Sequence, residues 1–267
     1  MNALVIPDIH CRNFWRKAID ENIGKVDKVI FLGDYLDPYV NEIEDNPETM
    51  EIEDFYDSSN ALSMLNDIIS LKKNEPDRFI LLTGNHTDSY IWPDFSKASR
   101  TDYKNWELYH KFYLENLSLF NFVWIQNNVI FSHAGISEGW ATEFLYHYMD
   151  YDEGISLERN SLIFETATVL KDTLLKDFNI HYIKAISNIS RYRGGDMYYG
   201  SCEWADLREH IDVNASITRI IPKGEDGIYQ VFGHTQLRVP LITDKWACLD
   251  CRKAFIVDTN TYEISEC

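Results

Sequence analysis

Lys28-Val29-Ile30-Phe31-Leu32-Gly33-Asp34-Tyr35-Leu36-Asp37 is a mostly apolar run of strand length that stops at a glycine and then presents two carboxylates. A short apolar run bounded by a turn reads as a strand buried on both faces, the pattern of a sheet covered by helices. The arrangement recurs. Residues 3–7 lead to Asp8-Ile9-His10, and residues 79–83 lead to Gly84-Asn85-His86. Residues 129–131 lead to Ser132-His133-Ala134-Gly135, and residues 229–232 lead to Gly233-His234-Thr235. Side chains that follow strands in this way gather along one edge of a sheet, where a ligand reaches them. One such tag alone is weak evidence; five in a fixed order are specific.

Between the tags the period changes. Residues 13–23 place Phe14, Ala18 and Ile19 on one helical stripe, and residues 61–71 do the same with Leu62, Leu65, Ile68 and Ile69. Strand–helix–strand steps of this kind predict an α/β layer. An acidic excursion over 40–57 interrupts them; it lacks EF-hand spacing and reads as a solvated loop near the site mouth. Residues 106–119 read as an aromatic-rich helix, and residues 122–125 and 129–131 as two strands joined at Asn127-Asn128. From 136 to about 221 the character shifts to predicted helices near 138–149 and 157–178, followed by a loop holding Arg191-Tyr192-Arg193-Gly194-Gly195. We read 136–221 as a largely helical cap inserted within a single domain, 1–267. Short strands at 247–249, 254–257 and 262–264 close the chain.

A chain of 267 residues with 45% hydrophobic content can bury one large core. Its net charge of −18 argues against sequence-independent nucleic-acid binding, which depends on Lys and Arg neutralising phosphates. A phosphate ester is not excluded, because local cations offset its repulsion. Five scattered cysteines do not form a disulfide framework, so a reducing, cytoplasmic location is expected. Met1 runs directly into an apolar strand with no basic leader, and no stretch approaches a membrane span, so no membrane association is expected. Cys248-Leu249-Asp250-Cys251 has no second Cys pair or His pair to complete a zinc site and reads as buried thiols. The cluster Tyr109, Phe112, Tyr113, Phe120, Phe122 and Trp124 lacks flanking basic residues and reads as core rather than a base-stacking platform.

A two-metal hydrolytic site needs hard oxygen donors, imidazoles and one oxygen ligand shared by both ions. Asp34 is the candidate bridge. Asp8 and His10 can reach one ion together if the backbone leaves strand geometry there; Asn85, His133 and His234 can complete the other. Each tag also has a plain reading: a helix-capping Asp, a Gly-Asp turn, an Asn-His loop, or a core histidine satisfied by backbone bonds.

The ordered set DxH, GDxxD, GNH, a later His and GHx resembles the calcineurin-like metallophosphoesterase superfamily, over nearly the whole chain from Asp8 to the strands after His234. Ser132-His133-Ala134-Gly135, Gly233-His234-Thr235, and Arg193-Gly194-Gly195 followed by Trp204-Ala205-Asp206 resemble the phosphoprotein (Ser/Thr) phosphatase branch of bacterial and phage type. The resemblance implies a two-sheet αββα sandwich. It also implies two divalent metal ions, Mn2+ first with Fe, Zn or Ni as alternatives. Asp8, His10 and bridging Asp34 would hold one, and Asp34, Asn85, His133 and His234 the other. It further implies that His86 protonates the leaving group while Asp37 orients it, with in-line attack on phosphorus by a water activated between the ions.

Three departures narrow the resemblance. Gln236 stands where many members carry a further His, which suits the phosphatase branch. Pro38 replaces the Arg usual after GDxxD in that branch, and Thr87 replaces a Glu. The guanidinium that clamps phosphate must come from elsewhere; Arg12 and Arg193 are the candidates. The expected activity is a phosphomonoesterase acting on a phosphoprotein or small phosphate ester. The rivals are a phosphodiesterase or dinucleoside polyphosphate hydrolase and, in another class, a non-catalytic scaffold, which intact ligand positions disfavour.

Overall fold

The computed structural model describes residues 1–38, 58–94, 98–148, 159–173, 175–177, 180–211 and 227–267. In chain order its elements are β1 (Asn2–Ile6), α1 (Phe14–Asn22), β2 (Lys28–Phe31), α2 (Ser58–Asn74), β3 (Phe79–Leu82), α3 (Asn85–Ile91) and α4 (Trp106–Asn116). There follow β4 (Phe120–Asn121), β5 (Val123–Gln126), β6 (Val129–Ser132), α5 (Glu138–Glu143), α6 (Arg159–Asp172), α7 (Ile180–Ile186) and α8 (Leu207–His210). The last are β7 (Tyr229–Phe232), β8 (Leu241–Ile242), β9 (Trp246–Cys248), β10 (Phe255–Asp258) and β11 (Ile264–Glu266).

The strands form two sheets, ordered β11-β10-β1-β2-β3-β4 and β5-β6-β7-β9-β8. In the first, β1, β2, β3 and β4 are parallel, with Ile6 opposite Phe31 and Phe31 opposite Leu81. In the second, β6, β7 and β9 are parallel, and β5 returns to β6 as the hairpin expected at Asn127-Asn128.

Side-chain alternation explains why these strands read as continuous apolar runs. Ala3, Val5, Ile30, Leu32, Ile80 and Leu82 face Phe131, Val231, Ala247 and Leu249 in a core between the sheets. Their neighbours Leu4, Ile6, Val29, Phe31, Phe79 and Leu81 join a second cluster with Trp15, Ala18, Ile19, Leu65 and Ile68 of the covering helices. The same cluster extends to the second sheet, where it takes in Val123 and Ile130 with Trp140, Phe144, Leu162 and Ala167, and α6 packs on β5. The chain is thus a mixed α/β sandwich of two sheets flanked by helices.

Several boundaries differ from the sequence reading; the helix expected over 157–178, for example, ends at Asp172. The last strand is Ile264–Glu266 rather than 262–264, because Tyr262 occupies a left-handed turn at φ 61°. The helix expected over 138–149 is α-helical only to Glu143 and continues as a π-type turn from Phe144 to Tyr148. The acidic stretch over 40–57 lies outside the described residues, as do parts of 136–221.

Candidate metal centre

The tags follow parallel strands, so their side chains meet at one edge of both sheets. Asp8 lies two residues beyond β1, Asp34 three beyond β2, His133 directly after β6 and His234 two beyond β7. Beyond the strand ends the backbone leaves extended geometry: His10, Asp34, Asp37 and His234 take φ of 45°, 47°, 62° and 64°. Left-handed backbone at non-glycine residues costs energy and concentrates at functional sites. It persists because bonds hold it, among them His10 N to Asp34 O at 2.9 Å and Cys11 N to Tyr35 O at 2.8 Å. Glycine is obligatory beside the carboxylates. A methyl group on Gly84 would strike Asp34 Oδ1, and one on Gly233 would strike Asp8 Oδ1.

Two bonds stitch the sheets together at this edge. His133 Nδ1 donates to Leu32 O at 2.9 Å, and His234 N donates to Asp8 Oδ1 at 3.0 Å. Two groups of metal-competent atoms then appear among the described residues: His10, Asp34 and His86, and Asp34, His133 and His234. Asp34 belongs to both. Its Oδ2 lies 3.7 Å from His10 Nε2 and 3.4 Å from His133 Nε2, while Oδ1 accepts from His86 N at 3.0 Å.

In the second group His133 Nε2 is 3.1 Å from Asn85 Oδ1 and 3.0 Å from His234 Nδ1. Neighbouring ligands of an octahedral ion with bonds of about 2.1 Å sit about 3 Å apart. The buried His234 Nε2 has no hydrogen-bond partner, a cost that a charged ligand shell offsets. Spacing, donor types and the glycine clearances all fit a pair of divalent cations. Asp8 is not in either group of three, but its carboxylate, anchored by His234 N, borders both.

The electrostatics agree. Burial holds the imidazoles of His10 and His234 well below the usual range, helped by the charges of His86 and Arg12 at His10 and of Arg193 at His234. Both are therefore neutral, as metal ligands must be. Burial opposes charge on His133 too, but Asp34 and Asp8 outweigh it and push its pKa up to about 10. Asp34 is held well below the carboxylate range, against burial, by His133 and His86.

Next to this centre, α3 places His86 and Tyr90 four residues apart on one helical face, and both grip Asp37. His86 Nδ1 is 2.7 Å from Asp37 Oδ2, and Tyr90 Oη donates to Asp37 Oδ1 at 2.5 Å. Asp102 N adds a third bond to that carboxylate at 3.3 Å. Sequence reading missed α3, since Asn85-His86-Thr87-Asp88-Ser89-Tyr90-Ile91 carries no apolar period. Every residue of it is buried nonetheless, and Asp34 supplies a carboxylate acceptor at its first turn.

The two expected guanidiniums are placed differently. Arg12 is buried and donates to the carbonyls of Asp8 and Ile9 at 3.4 and 3.3 Å. Arg193 is partly exposed, pairs with Asp206 at 2.9 Å and donates to Thr235 Oγ1 beside His234. Arg100 was not anticipated: its Nη2 lies 3.4 Å from His86 Nε2. Its only sequence signal is a position fourteen residues after His86. Behind α3, Asp88 and Glu203 form a buried carboxyl pair, with the Thr83 hydroxyl donating to Glu203. Burial and the neighbouring Glu203 push the Asp88 carboxyl well above the carboxylate range, which favours its protonated, uncharged form.

Two candidate ligand groups joined by one carboxylate, with a carboxylate-braced imidazole beside them, make up a candidate dinuclear metal centre. The chain belongs to the calcineurin-like phosphoesterase family, whose model matches residues 1–236. It is a metal-dependent phosphoric ester hydrolase of that family, whose members act on phosphorylated substrates through two metal ions. Among solved structures it is similar to a cold-active protein tyrosine phosphatase, with 14% identity and a TM-score of 0.52 over 99% of this chain and 78% of that one. A protein serine/threonine phosphatase from Saccharomyces cerevisiae, described as similar to human phosphatase PP5, matches with 11% identity and a TM-score of 0.49 over 100% of this chain and 79% of the other. At such identities the first likeness speaks to the fold alone. No curated protein sequence matches the chain.

Proposed function

We propose that the chain is a phosphomonoesterase of the phosphoprotein phosphatase type, in which two divalent ions would share Asp34 as a ligand. Asp8 and His10 complete the first ligand set, and Asn85, His133 and His234 the second. The observation that carries the reading is Asp34, shared by both ligand groups, standing beside an imidazole that is tied to a second carboxylate. Divalent cations bound there supply Lewis acidity and lower the pKa of water.

The chain's own residues do the rest. His86, held through Nδ1 by Asp37, directs Nε2 at the leaving-group oxygen and gives it a proton. Tyr90 and Asp102 N fix Asp37, so the imidazole keeps one orientation. Arg12 braces the loop carrying Asp8 and His10 from below, and Arg193 meets the substrate from the rim. Segment 136–221 shapes access as a cap. Mn2+ is the proposed metal, with Fe, Zn or Ni as alternatives, since a set of three oxygen donors and three imidazoles suits each of them. A cytoplasmic location suits the five free cysteines. No helix among the described residues is long and apolar enough to cross a membrane.

The test is turnover by the Mn2+-loaded chain on p-nitrophenyl phosphate, a phosphopeptide, bis-p-nitrophenyl phosphate and a dinucleoside tetraphosphate. Preference for the first two supports the proposal; preference for the diester or the anhydride overturns it. Elemental analysis showing no metal after Mn2+ loading would instead favour a scaffold.

A further inference from the structure

We propose that Arg100 binds the phosphoryl group and biases this site toward phosphomonoester dianions, an inference that rests on the phosphoesterase reading above. The position is built rather than incidental. Ala98 N donates to Ser89 Oγ of α3 at 2.7 Å, Thr101 Oγ1 donates to Ala98 O at 2.9 Å, and Asp102 N donates to Tyr90 Oη at 2.9 Å. These bonds pin the chain on both sides of Arg100, which takes φ 64° and remains exposed. A left-handed residue between two fixed points has little freedom in where it sends its side chain.

That side chain is sent to the reacting edge. Arg100 Nε lies 3.4 Å from Asp37 O and Nη2 lies 3.4 Å from His86 Nε2, the nitrogen proposed to protonate the leaving group. Its charge also reaches His10, whose ring stands edge-on to His86 with centroids 5.0 Å apart. A guanidinium and phosphate oxygens form short, paired, charge-assisted bonds, so an anion held at His86 Nε2 lies within reach of the Arg100 fork.

The surroundings explain the need. Asp34 and Asp37 are buried carboxylates at the centre, and the chain carries a net charge of −18. A dianionic monoester meets more of that repulsion than a monoanionic diester, so a permanently charged fork matters more to the monoester. Pro38 leaves the position after Asp37 without a cation, and Arg100 reaches the Asp37 carbonyl from elsewhere in the chain.

The experiment compares wild type, Arg100→Gln and Arg100→Lys, each metal-loaded and checked for metal content. Inorganic phosphate binding by calorimetry should weaken about tenfold to a hundredfold in Arg100→Gln and less in Arg100→Lys, which keeps the charge but loses the fork. KM for p-nitrophenyl phosphate should rise by a similar factor, with a change of less than about threefold for bis-p-nitrophenyl phosphate. Equal phosphate binding by wild type and Arg100→Gln overturns the proposal, as does an equal loss on both esters with full metal content. A wild type that hydrolyses only diesters yet binds phosphate tenfold better than Arg100→Gln overturns the phosphomonoesterase reading and leaves Arg100 in place as a phosphate ligand.

Discussion

His86 and His133 both lie within reach of Asp34, yet they are tied down differently. His133 turns Nδ1 to the carbonyl of Leu32, and His10 turns its Nδ1 to the carbonyl of Leu36 at 2.7 Å. A carbonyl only accepts, so Nδ1 keeps its proton and Nε2 offers a lone pair to a cation. His86 turns Nδ1 to the carboxylate of Asp37 instead. A carboxylate pulls on the Nδ1 proton and makes the opposite nitrogen a better proton carrier. In the proposed site one residue type thus takes two roles within a few ångströms, and the partner of the far ring nitrogen divides them.

The strongest way to break that comparison is to remove its common neighbour. Asp34→Asn should lose both metals by elemental analysis and bring turnover to background, because the shared ligand is gone. Next come the two histidines separately. His133→Ala should lose one metal together with activity, whereas His86→Asn should retain both metals while kcat falls by about 10²–10⁴. Full metal in His133→Ala, or unchanged turnover in His86→Asn, would erase the distinction.

Proton competition sharpens it. His133 is raised to about 10, so below that pH a cation must displace its proton. Metal affinity should therefore rise about tenfold per pH unit on the acid side of that value, and a flat titration from pH 6 to 9 would refute the assignment. His133→Ala should flatten the slope; His86→Asn should not.

The support of Asp37 offers a smaller effect. Tyr90→Phe removes one bond to that carboxylate and should lower kcat about two- to tenfold with metal content intact. The least effect on chemistry is expected at Asp88. Burial and Glu203 raise its folded pKa, so the native metal-free chain keeps a proton that the unfolded chain releases above about pH 4. The unfolded state then binds fewer protons, and stability falls as pH rises. Asp88→Asn removes this slope and should raise Tm by about 2–4 °C at pH 8. A lower Tm with the slope unchanged would exclude a protonated Asp88.

Much of the site was legible because its ligands sit next to the strands that carry them. Asp34 follows an apolar run whose alternate residues face two different cores, so both the strand and its polar end are local facts of sequence. Helix α3 was not legible. It forms on bonds to Asp34 and Asp37, about fifty residues earlier in the chain. Of the helices after β6, α5 and α6 were legible as helices and α7 and α8 were not, and Trp140 and Ala167 bury in a cluster shared with the first sheet, which no local period announces.

Order and type of the ligand residues, and the α/β class, were determined by the sequence alone, because strand burial and strand-end polarity are encoded within windows of about ten residues. Only the tertiary structure decided which nitrogen of each histidine is engaged, that Arg12 is turned inward, and that Arg100 reaches His86. Those outcomes depend on distances between segments far apart in the chain, which are set when the two sheets close on a common core.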